Sequence, residues 1–163
     1  MTIALHRSFI DPDFRPTLTA TLGLPGSGKS TWAMQYRRKA RHPTVCICKD
    51  EMRDWLVQME GGVKAKESRV IALQSILIES YLRESYNVVV HDTNLNPIHI
   101  ERLKAICRKT GATYRSKSFL DVPIETCIVN DAKRRGKTQV GEKVIRDMAE
   151  QWLTEAPSDA KEA

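Results

Sequence analysis

The residues best suited to chemistry cluster near the start of the chain. Gly23-Leu24-Pro25-Gly26-Ser27-Gly28-Lys29-Ser30, followed by Thr31, fits G-x-x-x-x-G-K-[ST] at every fixed position. Glycines at this spacing let backbone N–H groups converge on phosphate oxygens, where side chains would block the approach. A helix opening at Lys29 would add the positive end of its dipole. The Lys29 ammonium would bridge the β- and γ-phosphates, and the Ser30 hydroxyl would ligate Mg²⁺. The pattern therefore predicts binding of a nucleoside triphosphate.

Two strand ends offer the groups that could act on such a phosphate. Lys49-Asp50-Glu51-Met52-Arg53 lies where an apolar run gives way to a helix. An Asp50 carboxylate there could take the proton of an attacking hydroxyl and aim its oxygen in line. Arg53, one helical turn on, could hold an acceptor phosphate or orient Asp50. Glu51 and Asp54 read as solvated acids of a first helical turn. The second strand end is Val88-Val89-Val90-His91-Asp92-Thr93-Asn94-Leu95-Asn96-Pro97. Asp92 could sit near Mg²⁺ or hold a neighbouring arginine, with Thr93 and Asn94 as polar groups around the same mouth. His91 reads as a packing or solvent-facing residue. Further along, Lys133, Arg134, Arg135 and Lys137 crowd five positions beside Gly136. They suggest a basic flap whose arginine meets charge on a transferred phosphoryl group.

These groups need a scaffold that delivers them to one edge. Apolar, β-rich runs occur at 17–23, 44–48, 87–92 and 113–120, and helical spacing occurs at 29–41, 66–85, 98–110, 123–134 and 141–153. Alternation of this kind implies βαβ units on a parallel sheet. The expected fold is a three-layer α/β sandwich of four or five strands, with ligands at their carboxyl ends. The valine run at 88–90 suits a central strand buried on both faces. Residues 1–16 read as a flexible N-terminal extension, 17–153 as the domain and 154–163 as a polar tail.

Composition narrows the classes. The chain has 163 residues, 41% hydrophobic and 28% charged, with a net charge of +6. That is one globular domain rather than a disordered or fibrous chain. No apolar run approaches the ~18–20 residues of a membrane helix. The N-terminus does not read as a secretion signal, and four dispersed cysteines read as reduced, so a cytoplasmic location is expected. A GTPase would carry N-K-x-D, which is absent. A basic balance, with six cations and no acid between Arg102 and Lys117, favours polyanionic partners.

Taken in order, G-L-P-G-S-G-K-S-T-W-A, K-D-E-M-R, H-D-T-N-L-N-P, F-L-D-V-P-I-E-T and the basic flap leading into V-G-E-K-V-I-R-D-M resemble the kinase domain of bacteriophage-type 5′-polynucleotide kinases. The resemblance runs from about Thr17 to Met148. It implies a P-loop kinase fold with a helical lid, and transfer of the ATP γ-phosphate to the 5′-hydroxyl of DNA or RNA with Mg²⁺, in nucleic-acid end repair. By position it makes Lys29 and Ser30 the cradle residues, Asp50 the general base and Arg53 the acceptor-phosphate arginine. Asp92 would support that arginine, and Arg134 or Arg135 would be the lid arginine. Members with a phosphatase domain carry D-x-D-x-T, which is absent here, so no 3′-phosphatase activity is expected. Relatives of this type assemble, which makes a homo-oligomer an expectation too. A small-molecule kinase and a catalytically silent nucleotide-binding module remain the rival readings.

Overall fold

The computed structural model describes residues 14–134 and 136–153. Four parallel strands, β1 (Thr17–Leu22), β2 (Thr44–Ile47), β3 (Asn87–Val90) and β4 (Thr113–Ser118), form a sheet in the order β2-β3-β1-β4. Six helices accompany them: α1 (Lys29–Lys39), α2 (Lys49–Met59), α3 (Glu67–Arg83), α4 (Pro97–Thr110), α5 (Ile124–Ala132) and α6 (Glu142–Leu153). A 3₁₀ turn at Gly136–Thr138 joins the last two. The chain thus adopts the expected three-layer α/β fold, with four strands. α2 was legible only as the start of a helix at Asp50.

Alternation along the strands sorts the two faces. Leu18 and Ala20 of β1, Val88 and Val90 of β3, and Ile47 of β2 point to one side. There they pack with Ile78 and Leu82 of α3 and Leu103 and Ile106 of α4. Cys46 points the other way, and its thiol donates to the Ala33 carbonyl of α1 at 3.4 Å. All three valines of β3 are fully buried, because that strand is flanked by β2 and β1 and covered on both faces.

The strand order sets the location of the cleft. From β1 the chain crosses through α1 to β2, while from β3 it crosses through α4 to β4 on the opposite edge. Neighbouring strands whose connections leave in opposite directions open a crevice at their carboxyl ends. Backbone carbonyls at that divergence lose their ladder partners and are buried. Asn94, with φ 47° and 1% exposure, satisfies them. Its amide donates to the Thr21 carbonyl at 2.8 Å and, more weakly, to those of Val90 and Asp92. The Thr21 hydroxyl adds a bond to the Asp92 carbonyl at 3.0 Å. Asn94 is therefore turned into the fold and not toward the mouth, contrary to the expectation that it would line it.

Helix termini follow their local chemistry. Asn96 caps α4 by accepting from the Ile98 N–H at 2.9 Å, with Pro97 in the first turn. At the other end Gly111 takes the left-handed conformation. Residues 14–16 belong with the sheet: Phe14 stacks on His42, and the Pro16 carbonyl accepts from Thr113 N–H at 2.9 Å. The rest of the expected N-terminal extension, and the tail 154–163, lie outside the described residues. Among the described residues no helix is long and apolar enough to cross a membrane.

Asn94→Ala removes the amide and leaves the strand-end carbonyls unpaired. It is expected to lower the unfolding free energy by about 1–3 kcal/mol in urea titrations.

Candidate active site

One cleft of about 370 Å³ lies at the carboxyl end of the sheet. Pro25, Lys29 and Ser30 line it from the glycine-rich loop, Asp50 and Arg53 from α2, Asp92 and Thr93 from the end of β3, and Arg134 from the α5–α6 connection. Residues spread over more than 100 positions of sequence thus face one space. Met148 and Trp152 of α6 close one side.

The loop owes its shape to two glycines. Gly26 has φ 82°, and a Cβ there would collide with the Cys127 carbonyl of α5. Asn130 of α5 donates to the Gly26 carbonyl at 3.0 Å, so loop and helix are joined. Gly28 has φ 94° where α1 begins, a conformation open to glycine at little cost. Lys29 is 7% exposed, and its ammonium donates to the Leu24 carbonyl at 2.7 Å and the Ser27 hydroxyl at 3.4 Å. Burial, with the Arg134 guanidinium adding to it, brings its pKa down to about 8. Cys127, Asp92 and Asp50 oppose the shift. Thr31 follows on the exposed side of the loop.

Asp50 is exposed, its side chain 88% accessible, and it accepts from Arg53. Arg53 is held from its other edge by Glu67, in a two-pronged contact at 3.0 and 3.0 Å. The expectation that Asp92 supports Arg53 is corrected here. Asp92 Oδ1 instead accepts the Lys49 N–H at 2.8 Å, and Oδ2 accepts from Gln74 at 2.7 Å. Gln74 in turn accepts from Arg102 at 2.8 Å. Asp92 thus positions α2, the helix bearing Asp50, through that helix's first backbone N–H. Glu67 and Gln74 were not singled out in the sequence. Both lie on α3, far along the chain from the segments they serve.

His91 is buried, as expected of a packing residue, and it does more than pack. It lines the cleft, and its Nδ1 lies 3.2 Å from the Ser30 hydroxyl. Burial lowers its pKa, which favours the neutral ring. Thr93 is half-buried in the cleft wall, and its carbonyl accepts the Gly23 N–H at 3.0 Å, tying the two strand ends together.

The α5–α6 connection rests on one buried carboxylate. Asp131 accepts from Val140 N–H at 3.0 Å and Gly141 N–H at 2.8 Å, and lies 3.4 Å from Arg134. Arg134 also donates to the Thr138 carbonyl at 3.4 Å. Arg135 lies outside the described residues.

Part of the basic stretch from Arg102 to Lys117 is paired within the chain, while Arg108, Arg115 and Lys117 are exposed. Arg102 is turned into the Gln74–Ser75 network, Lys104 pairs with Glu101, and Lys109 pairs with Glu79. Separately, Trp32 stacks on Tyr36 and meets Phe119 edge-on, with Lys117 over the Phe119 ring. That aromatic group joins α1 to the chain after β4, so no run of sequence announces it.

Two outcomes follow from this geometry. A bound phosphate would replace the Leu24 carbonyl and favour charged Lys29, so above pH 8 binding takes up a proton. Affinity for a nucleotide should fall by roughly tenfold per pH unit from about pH 8 upward, and Lys29→Met should flatten that slope in calorimetric titrations. Removing the Asp131 carboxylate leaves the Val140 and Gly141 N–H groups without their acceptor. Asp131→Ala should cost about 1–3 kcal/mol of stability and speed tryptic cleavage between Lys133 and Gly141.

The chain matches the AAA domain family over residues 18–154. Among solved structures it is similar to a chain of the Pnkp1/Rnl/Hen1 RNA repair complex, with 25% identity, TM-score 0.72, and coverage of 86% of this chain and 45% of that one. It therefore spans less than half the length of that relative. The APS kinase CysC of Mycobacterium tuberculosis, in complex with AMPPNP and APS, shares the fold at 22% identity and TM-score 0.59, over 73% of this chain and 70% of that one. A gluconokinase from Sinorhizobium meliloti 1021 shares it at 16% and 0.56, over 91% and 79%. With the loop, the sheet and the cleft in place, the chain has the nucleotide-binding fold of the P-loop kinases and belongs to the AAA domain family.

Proposed function

We propose that the protein is a polynucleotide 5′-hydroxyl kinase, transferring the γ-phosphate of ATP to the 5′ end of DNA or RNA. The observation that carries this reading is the position of Asp50. Its exposed carboxylate, braced by Arg53 and Glu67, opens on the cleft that also receives Lys29 and Arg134. A pure nucleotide binder has no use for a carboxylate set at the acceptor side. Similarity to a chain of an RNA repair complex supports a nucleic-acid acceptor.

The reaction uses each group once. The loop N–H groups and Lys29 hold the β- and γ-phosphates. Asp50 takes the proton of the 5′-hydroxyl as its oxygen attacks the γ-phosphorus. A new O–P bond forms while the bond to the β,γ-bridging oxygen breaks, and ADP leaves with the electron pair. Arg53 and Thr93 face the acceptor, and Arg134 meets charge on the transferred group. The donor set suits Mg²⁺: the Ser30 hydroxyl and the Asp92 carboxylate are hard oxygens lining one cleft, and each Asp92 oxygen keeps a lone pair beyond its one hydrogen bond. Bound there, the ion supplies neutralising charge to the phosphate oxygens.

A small-molecule kinase is the second reading. It draws on the pairing of Arg102, Lys104 and Lys109 within the chain, which offsets part of the positive charge a strand would follow.

Purified protein with γ-labelled ATP, Mg²⁺ and 5′-hydroxyl oligonucleotides distinguishes the two. Label should appear at the 5′ end. Asp50→Asn should reduce the rate by about 10²–10⁴-fold while ATP still binds. Label on no oligonucleotide, with ATP bound, would overturn the proposal.

A further inference from the structure

Beside the Ser30 end of the cleft lies a group of side chains that phosphate transfer does not use. In the β2–β3 pairing Ile47 is opposite Val90, so Cys48 and His91 leave the sheet side by side. α2 begins at Lys49, and its first turn brings Glu51 back over Cys48. The Cys48 sulfur, a Glu51 carboxylate oxygen and a His91 ring nitrogen lie within 4.8 Å of one another. Cys48 and His91 are 7% and 6% exposed. His91 Nε2 is buried without any hydrogen-bond partner, although Nδ1 is engaged by Ser30. An orphaned ring nitrogen inside a polar wall calls for a ligand.

We propose that Cys48, Glu51 and His91 form a binding site for a zinc-type divalent cation, and that filling it slows phosphate transfer by withholding Ser30. One thiolate, one imidazole and one carboxylate are the donors zinc takes, whereas Mg²⁺ takes oxygens alone. Three protein ligands leave a fourth position for water. Coordination releases the Cys48 thiol proton to solvent. With the cation on Nε2, the ring proton stays on Nδ1 and is donated to the Ser30 hydroxyl oxygen. Metal-bound histidines commonly hold a neighbour through the second nitrogen in this way. The Ser30 oxygen then has one lone pair fewer for the cation on the phosphates. Binding stands on the side-chain cluster alone, while the inhibitory consequence rests on the kinase reading.

Cobalt serves as the optical probe. Titrating the full chain with Co²⁺ in the absence of nucleotide should give a near-ultraviolet thiolate-to-cobalt band that saturates at one equivalent and is abolished by Zn²⁺. Cys48→Ser should lose the band, while Cys46→Ser and Cys127→Ser keep it. In the presence of Mg²⁺ and ATP, Zn²⁺ should inhibit the parent protein but not Cys48→Ser, whose zinc-free rate should equal that of the parent. Absence of the band in the parent, or its persistence in Cys48→Ser, overturns the site. A band with unchanged turnover under Zn²⁺ overturns the inhibition. A band in a protein that phosphorylates no acceptor leaves the site standing and counts against the kinase reading.

Discussion

The divergence of β1 and β3 is the constraint on which the rest depends. Parallel strands satisfy each other's backbone groups only as far as they run together, and the crevice begins where they part. That parting would leave buried carbonyls bare. Asn94 and Thr21 meet this cost with side chains, so the crevice survives as a cleft instead of collapsing into further sheet. The Gly23–Thr93 bond then fixes the glycine-rich loop to the opposite strand end, and Asp92 fixes the first turn of α2. The glycine-rich loop and the start of α2 are therefore referenced to the same pair of strands.

Charge is managed by the same scaffold. Lys29 is buried within reach of the Arg134 charge, and it is held by neutral carbonyl and hydroxyl oxygens. A cationic pocket of this kind stores unfavourable energy that an anion relieves. The carboxylates are placed by a different logic. Asp92 and Asp131 are buried and serve backbone N–H groups, whereas Asp50 stays in solvent with a guanidinium at its side. Three acids of one residue type thus take three positions, according to what surrounds them.

Much of this was legible in the sequence. The glycine-rich spacing, the apolar run of β3 and the asparagine–proline start of α4 are local signals, and each local signal matched the element that formed. Contacts that join distant segments were not legible. Glu67 and Gln74 reach Arg53 and Asp92 because α3 crosses beside α2 and the sheet, and no spacing along the chain announces that crossing. Asn94 was misjudged for a related reason. A polar residue after a strand reads as cleft lining, yet the unpaired carbonyls that draw it inward exist only once β1 and β3 have parted. The contact of His91 with the Ser30 hydroxyl was not legible either, because the two lie 61 positions apart.

The contact between Gly26 and α5 carries a mechanical consequence. The Cys127 carbonyl abuts the loop where a methyl group would not fit, and Asn130 grips the carbonyl of the same glycine. The first two turns of α5 are in effect part of the cradle wall. The basic segment therefore leaves the cradle wall just after Asn130, and Asp131 ties its far end back to the same helix. Arg134 follows Asn130 by only a few residues, so its backbone is referenced to the cradle wall through a short stretch of chain.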